Sequence, residues 1–219
     1  MKIDLHCHTY YSHDAISSPE QLIKQALKNG LDGIAITDHE TTAGWDEAIK
    51  AGEKLKAKII LGEEIKTNQG DILALFITKQ IDGKNKDPKW VINEIKKQGG
   101  LAIIPHPYHF PESFKDSLDN YLDLIDGIEV FNSRLPFSGP DKKAFNFAQN
   151  NNLIMTSGSD AHYYRGIGKA YTECEANTLE EFKKALQNKK SLPRGKKSSI
   201  FYLIFPTLKR LNLIKKTNL

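Results

Sequence analysis

The chain has 219 residues, 39% hydrophobic and 26% charged, which is typical of one globular domain. Its two cysteines, Cys7 and Cys174, exclude a disulfide framework. No apolar run reaches the roughly 18 residues that a membrane-spanning helix needs. No leader precedes the first strand pattern, which begins at Lys2, so we expect a cytoplasmic protein.

The net charge of +4 combines an acidic body with a basic C-terminal part. From Lys183 to the end there are 11 Lys and Arg and no acid, whereas the preceding part has 20 basic and 27 acidic residues. A basic tail attracts an acidic partner or surface, such as nucleic acid or anionic lipid. A solvated terminal segment explains a run this short at least as well.

Strand and helix patterns alternate along the chain. Strands are predicted at 2–5, 33–37, 58–61, 71–77, 101–105, 126–131, 153–157 and 169–174. A helix is predicted to begin after Ser18, with Pro19 at its first position, and to end at Asn29-Gly30. Further helices are predicted at 44–56, 87–98, 139–151 and 178–188. This alternation predicts parallel strands in an open sheet or a barrel, followed by a linker at 191–197.

Residues of the kinds that bind metals stand where the predicted strands end. Residues that are two positions apart on a strand face the same side of the sheet. His6 and His8 are therefore expected to point to the same side, while Cys7 points away. Imidazole groups beside carboxylates suit Zn, Mn or Fe. The other candidates follow later strands: Asp38, His39, Glu64, His106, Asp160 and His162. The pattern predicts a cluster of metal ions at the mouth of a barrel, and therefore an enzyme.

These residues resemble the motifs of the PHP (polymerase and histidinol phosphatase) domain superfamily, from Lys2 to about Ala176. The motifs are His6-Cys7-His8-Thr9 with Ser12-His13-Asp14, Thr37-Asp38-His39, Gly62-Glu63-Glu64, Pro105-His106-Pro107 and Gly158-Ser159-Asp160-Ala161-His162. Each motif is short, but their order and spacing together are specific. The resemblance implies an α/β fold, a distorted (β/α)7 barrel with its metal site at the C-terminal face of the strands. We expect this barrel at 1–190 and an extension at 191–219.

The resemblance also implies two or three divalent ions, Mn, Zn or Fe. The first would be bound by His6, His8, Glu64 and Asp160, the second by Glu64 and His106, and the third by His39, His162 and Asp14. His13 is the alternative to Asp14, and Glu63 is the alternative to Glu64. Many relatives have His where this chain has Asp71, so Asp71 either binds the second metal or only begins its strand.

The expected activity is metal-dependent hydrolysis of a small phosphomonoester or nucleotide by a hydroxide that bridges two metals. Glu64, Asp160 and Arg165 are the expected catalytic residues. Arg165 is the first choice to contact the phosphoryl group and Arg134 the second, and His109 is a candidate leaving-group acid. Asp4 and Asp38, beside ligand histidines, are expected either to orient them or to serve as polar strand ends.

Two other functions stay open. The first is a 3′–5′ or 5′–3′ exonuclease, for which Tyr10, Tyr11, Tyr163 and Tyr164 would offer stacking surfaces but which the acidic body does not favour. The second is a non-enzymatic metal-binding interaction module. The apolar and basic segment at 200–214 is expected to pack on the barrel, with binding to a partner or interface as the alternative.

Overall fold

The computed structural model describes residues 1–211, 213 and 214 of the chain. Its strands are β1 (Lys2–Asp4), β2 (Gly33–Ile36), β3 (Lys58–Lys66), β4 (Asp71–Leu75), β5 (Leu101–Ile104), β6 (Gly127–Asn132), β7 (Ile154–Gly158), β8 (Ala170–Glu173) and β9 (Leu192–Gly195). Its α-helices are α1 (Pro19–Lys28), α2 (Trp45–Leu55), α3 (Pro88–Lys97), α4 (Ser138–Asn150), α5 (Leu179–Gln187) and α6 (Ile204–Arg210). The first five helices and first eight strands confirm the predicted elements, with shifts at their ends.

Local chemistry explains where the helices begin. Ser18 accepts a hydrogen bond from Gln21 N, and the Gln21 side chain accepts one from Ser18 N, which forms a capping box ahead of Pro19. Asp87 accepts a hydrogen bond from Lys89 N at the start of α3, and Thr178 accepts one from Glu181 N at the start of α5. These side chains satisfy amide groups that have no partner within the helix.

The strands form one sheet in the order β7-β6-β5-β4-β3-β2-β1-β8-β9. The sheet curves until Ser157 of β7 meets β8, donating its amide to Thr172 Oγ1 at 2.9 Å and its hydroxyl to Tyr171 O at 2.5 Å. The result is a nearly closed α/β barrel, which confirms the predicted fold class.

The sheet is not entirely parallel, contrary to the prediction. β1–β2, β2–β3, β5–β6 and β6–β7 are parallel pairs, but β4 runs antiparallel to β3 and β5, and β8 runs antiparallel to β1 and β9. The turn between β3 and β4 spans only residues 67–70, and so short a connection reverses the chain.

The predicted linker at 191–197 is wrong, because Leu192–Gly195 is a strand. β9 pairs with β8, with Tyr171 opposite Arg194 and Thr172 opposite Pro193. Pro193 and Gly195 lower the strand propensity of this stretch. The sheet therefore continues past the expected barrel boundary at residue 190. Of the expected extension, residues 212 and 215–219 lie outside the described residues.

Two apolar clusters hold the barrel together. One lies between the sheet and the helices and includes Leu22, Ile36 and Ile92. The other combines side chains from β1 to β5 and β7 with Phe182 and Leu186 of α5, both fully buried. Strands from around the whole curved sheet share the second cluster, so it fills the barrel interior and supports the chain ends that carry the polar site.

Candidate metal centre

The predicted ligands come together beyond the carboxyl ends of the parallel strands. His6 and His8 follow β1 and His39 follows β2, while His106 and Asp160 follow β5 and β7. Parallel bridges join Cys7 to Ala161 and His39 to Glu64, so backbone pairing fixes these segments beside one another. The Cys7 side chain turns away and donates to Ala35 O. The alternation expected from the His6-Cys7-His8 spacing is therefore present.

Glu64 occupies the centre of the cluster. Its Oε2 lies 3.3 Å from Nε2 of His6, 3.3 Å from Nε2 of His8 and 3.0 Å from Nδ1 of His39. Its Oε1 lies 3.2 Å from Nε2 of His106. One carboxylate thus faces four imidazoles, which is the arrangement expected of a bridging ligand. Glu63 points elsewhere and accepts a hydrogen bond from Ile81 N.

Asp160 and Asp14 are the other two carboxylates of the cluster, and both lie 3.4 Å from His162. Asp160 Oδ1 lies 3.4 Å from His8 Nε2 and 3.8 Å from His6 Nε2. Asp14 Oδ1 lies 3.4 Å from His162 Nε2 and 3.7 Å from His39 Nε2. The side chain of His13 is 64% exposed, whereas that of Asp14 is fully buried. The geometry therefore favours Asp14 over His13 as the candidate metal ligand in this part of the site.

The donor atoms fit metal ions. Three groups can each hold an ion with ligand atoms within 4.8 Å of one another: His8, His39 and His162; His6, His8 and Asp160; and His6, Glu64 and His106. Several of these buried atoms have no hydrogen-bond partner among the described residues, namely Nε2 of His6, His8 and His162, Oε2 of Glu64 and Oδ1 of Asp14. Buried polar atoms without partners are rare and call for an explanation. Imidazoles mixed with carboxylates suit divalent Mn, Fe or Zn.

The buried histidines and carboxylates of the cluster shift one another's pKa values. Burial disfavours the charged form of His6, but the carboxylates of Glu64, Glu129 and Asp160 raise its pKa well above the usual value. Burial opposes ionisation of Glu64 as well, yet His6 and His39 hold its pKa well below the usual value. In His8, burial together with the neighbouring His162 and His39 lowers the pKa. The site therefore favours ionised carboxylates, the form that binds metals.

Glu129 supports the cluster and was not predicted. Its Oε1 lies 3.1 Å from Nδ1 of His6, and its Oε2 accepts hydrogen bonds from His106 N at 3.1 Å and from Asn132 Nδ2 at 3.0 Å. Asn132 also donates to Asp160 Oδ2 at 3.2 Å. A charged residue inside the apolar strand β6 was the available signal in the sequence. Such partners fix the orientation of metal-binding imidazoles.

The two predicted orienting aspartates behave differently. Asp38 accepts from Ser12 Oγ at 2.9 Å, and Ser12 Oγ lies 3.4 Å from Nδ1 of His8, so Asp38 reaches the imidazole through a hydroxyl. Asp4 contacts no imidazole ring, because its Oδ1 accepts from the amides of Ser159 and His6. Asp4 therefore ties β1 to the loop after β7.

Two of the ligand candidates have a strained backbone. His106 has φ 31° and Asp160 has φ 51°, in the left-handed region that residues other than glycine rarely adopt. Asp160 N donates to His6 O at 2.7 Å, which helps to hold this conformation. A Cβ on Gly158 would lie 2.3 Å from the Cβ of His6, so only glycine lets β7 approach His6 this closely. Strain of this kind is common at functional sites.

Arg134, rather than Arg165, lies in the site. Arg165 is exposed and donates to Tyr164 OH, and it does not line the metal-binding cavity. Arg134 lines that cavity and places Nη1 3.2 Å from Asp160 Oδ2 and 3.8 Å from Glu112. Arg165 was favoured because it follows the last motif in the sequence. In the structure, the guanidinium beside the cluster belongs to Arg134, in the loop between β6 and α4.

Two further candidates have defined positions. His109 is buried and pairs with Asp141 at 2.9 Å, outside the cavity lining, which leaves it without access to a leaving group. Asp71 begins β4 and also lines the cavity, and burial together with Glu64 raises its pKa to about 6. The three ligand groups do not include Asp71.

A cavity of about 400 Å³ opens over the cluster. Its floor includes His39, Glu64, His106 and Asp160. Its other lining residues include four cations, Lys66, Lys84, Arg134 and Arg210. The lining also contains the carboxylates of Asp14, Glu40, Asp71 and Glu112. Metal ions bound at the floor, together with the four basic side chains, would suit an anionic ligand. None of the described helices is long and apolar enough to cross a membrane.

Known proteins have sequences similar to this chain. A family model described as PHP domain matches residues 4–189. The chain is 40% identical over 144 residues to an uncharacterized protein of Methanocaldococcus jannaschii, covering 61% of this chain and 82% of the relative. It is 43% identical over 67 residues to a 5′-3′ exoribonuclease of Haemophilus influenzae, covering 31% of this chain and 24% of the relative.

A solved structure has the same fold. It is a two-domain protein of Bacteroides vulgatus described as containing a predicted PHP-like metal-dependent phosphoesterase. The TM-score is 0.77 and the sequence identity is 25%, and the match covers 90% of this chain and 65% of that protein. This chain thus spans about two thirds of the length of that structure.

Proposed function

Because the chain belongs to the PHP domain family, we propose that it is a metal-dependent phosphoesterase that hydrolyses a small phosphomonoester or nucleotide. The observation that carries this proposal is a buried cluster around the Glu64 carboxylate in which five donor atoms have no hydrogen-bond partner among the described residues. The similarity to a phosphoesterase-containing protein of Bacteroides vulgatus supports the same activity.

The residues divide among two or three ions as the family resemblance implies. His6, His8, Glu64 and Asp160 would hold the first ion, Glu64 and His106 the second, and His39, His162 and Asp14 the third. Divalent cations supply activation of water near neutral pH and neutralisation of phosphoryl charge. The carboxylates in the set, together with Asp71 beside the second position, make Mn²⁺ our choice.

The residues of the chain itself bind and orient the substrate. Arg134 is 17% exposed, and its Nη1 contacts Asp160 and Glu112, so the guanidinium is held in a fixed position in the cavity lining. Guanidinium binds phosphoryl oxygens through paired hydrogen bonds. We therefore assign to Arg134 the phosphate contact, with Glu64 and Asp160 as the carboxylates closest to the reacting group.

A panel of substrates tests this proposal. We would measure Mn²⁺-dependent phosphate release from monoesters, nucleotides and short oligonucleotides, with the metal-free protein as blank. Asp160→Ala and His162→Ala are expected to abolish turnover, whereas Asp123→Ala, an exposed aspartate outside the cavity, is the matched control. Metal-bound protein that turns over no ester would refute the proposal and favour the non-enzymatic role.

An exonuclease is the second candidate, supported by the similarity to the Haemophilus influenzae exoribonuclease. The tyrosines near the mouth argue against it as the main activity. Tyr10 and Tyr11 hydrogen-bond to Glu47 through their hydroxyls, and the Tyr163 ring stacks on Phe205, so these rings are already engaged. Shortening of oligonucleotides without turnover of monoesters would make the nuclease the primary function.

A further inference from the structure

The C-terminal helix α6 brings a cation to the metal-binding cavity. Arg210, the last residue of α6, places Nη2 2.7 Å from Oδ2 of Asp14, although 196 residues separate the two along the chain. The other oxygen of Asp14, Oδ1, faces His39 and His162. Arg210 therefore reaches the cluster at Asp14, whereas Arg134 reaches it at Asp160.

The segment that carries Arg210 is attached to the barrel at several points. Lys197 Nζ contacts both Asn132 O, at 2.9 Å, and the carboxylate of Asp141, and Ser198 N donates to Ser133 O at 2.7 Å. These bonds tie the start of the segment to the loop after β6. The position of α6 is thus set by the same loop that carries Arg134.

Aromatic contacts hold α6 itself beside the site. The ring of Phe205 stacks on Tyr163 with centroids 4.2 Å apart, and Tyr202 meets the same ring edge-on at 6.0 Å. Pro206 is buried. Tyr163 directly follows His162, so the helix rests on the motif that supplies the cluster.

Arg210 is more available to a ligand than two other cations of the cavity, Lys84 and Arg134. Lys84 pairs with Glu40 at 2.5 Å, and Arg134 is shared between Asp160 and Glu112. The Arg210 side chain remains 53% exposed and lines the cavity while bonded to Asp14 through one nitrogen. A guanidinium has five N–H donors in a fixed fork, so most of its donors are left for a ligand.

We propose that Arg210 is a substrate-binding residue that contacts the phosphoryl group held over the cluster, together with Arg134. This inference rests on the proposed phosphoesterase function, and it makes the C-terminal segment a part of the active site. The family match ends at residue 189, so Arg210 would be a specificity-determining residue supplied from outside the matched domain.

Binding of inorganic phosphate to the Mn²⁺-loaded full-length chain tests the inference. Arg210→Gln is compared with Arg194→Gln, since Arg194 is also an arginine near the C-terminus, is 52% exposed and pairs with a carboxylate, Glu173, away from the cavity. Calorimetry gives the phosphate affinity and elemental analysis gives the bound Mn²⁺. We expect Arg210→Gln to weaken phosphate binding about tenfold or more at unchanged metal content, and Arg194→Gln to have no effect.

Arg210→Lys provides a second variant. Lysine keeps the positive charge but lacks the planar set of guanidinium N–H donors. We therefore expect Arg210→Lys to bind phosphate more tightly than Arg210→Gln and more weakly than the unmodified chain. An unchanged phosphate affinity in Arg210→Gln would overturn the inference. Loss of Mn²⁺ in proportion to the loss of phosphate would also overturn it, because Arg210 would then only position Asp14. Phosphate binding that needs Arg210 in a protein without ester turnover would uphold the inference while refuting the proposed function.

Discussion

Oε1 of Glu129 lies 3.1 Å from Nδ1 of His6, in a fully buried pair separated by 123 residues along the chain. The contact fixes the imidazole so that Nε2 faces Glu64 and Asp160, where it has no hydrogen-bond partner. The same carboxylate binds the amide of His106. Glu129 thus orients two of the proposed ligands without entering the set itself.

Glu129→Gln is expected to weaken Mn²⁺ binding about 10- to 100-fold, because the orientation and basicity of His6 depend on this carboxylate. Titration of the metal-free protein with Mn²⁺ measures the effect. Glu63→Gln is the matched control, a buried glutamate whose nearest donor is Ile81 N. Equal losses in the two variants would show that the effect reflects general disturbance of the barrel.

Removal of metal is expected to lower the thermal stability of the protein. The cluster concentrates buried carboxylates and imidazoles whose donor atoms lack partners, and an ion bound only by the folded state stabilises that state. At 100-fold excess of Mn²⁺ over its Kd the gain is about 2.7 kcal/mol. For a chain of this length that corresponds to a Tm rise of about 5–10 °C.

Scanning calorimetry with a chelator, followed by return of Mn²⁺, checks this prediction. His162→Ala removes one proposed ligand and should reduce the Mn²⁺-dependent rise in Tm. A Tm that does not respond to Mn²⁺ in the unmodified chain would contradict metal binding at the cluster.

Gly158→Ala adds only one methyl group, but it is expected to disturb the packing of β7 against the His6 segment. The added Cβ would lie 2.3 Å from the Cβ of His6, so β7 or the His6 segment must move, at a cost of about 1–3 kcal/mol. Both thermal stability and Mn²⁺ affinity should fall. Gly139→Ala is the control, because a Cβ there meets no atom within 4 Å and alanine favours the helix α4.

Arg134→Gln should lower kcat/KM about 100-fold with bound Mn²⁺ unchanged, since one positioned donor to a charged oxygen is worth this much in a closed site. Arg165→Gln should retain the activity, because Arg165 is exposed and lies outside the cavity. Steady-state kinetics on the best substrate of the panel compares the two. A greater loss in Arg165→Gln would restore the assignment made from the sequence.

The helices and strands were largely predictable because their signals are local. Capping residues such as Ser18 and Asp87, and the apolar runs of β2 and β5, act over a few residues. The convergence of the metal-type residues was predictable for a related reason, since each follows its own strand and parallel strands end at one edge. His6, His8 and Glu64 are therefore brought together by the barrel itself.

Only the tertiary structure decided the remainder, because those features depend on contacts between distant segments. The pairing of β9 with β8 overcomes the weak propensity of Pro193 and Gly195. The position of Arg134 in the cavity lining, with Arg165 outside it, depends on which loop faces the cavity, and no local spacing encodes that. The contact of Arg210 with Asp14 joins the two ends of the chain, and it forms only because α6 packs on Tyr163 beside the cluster.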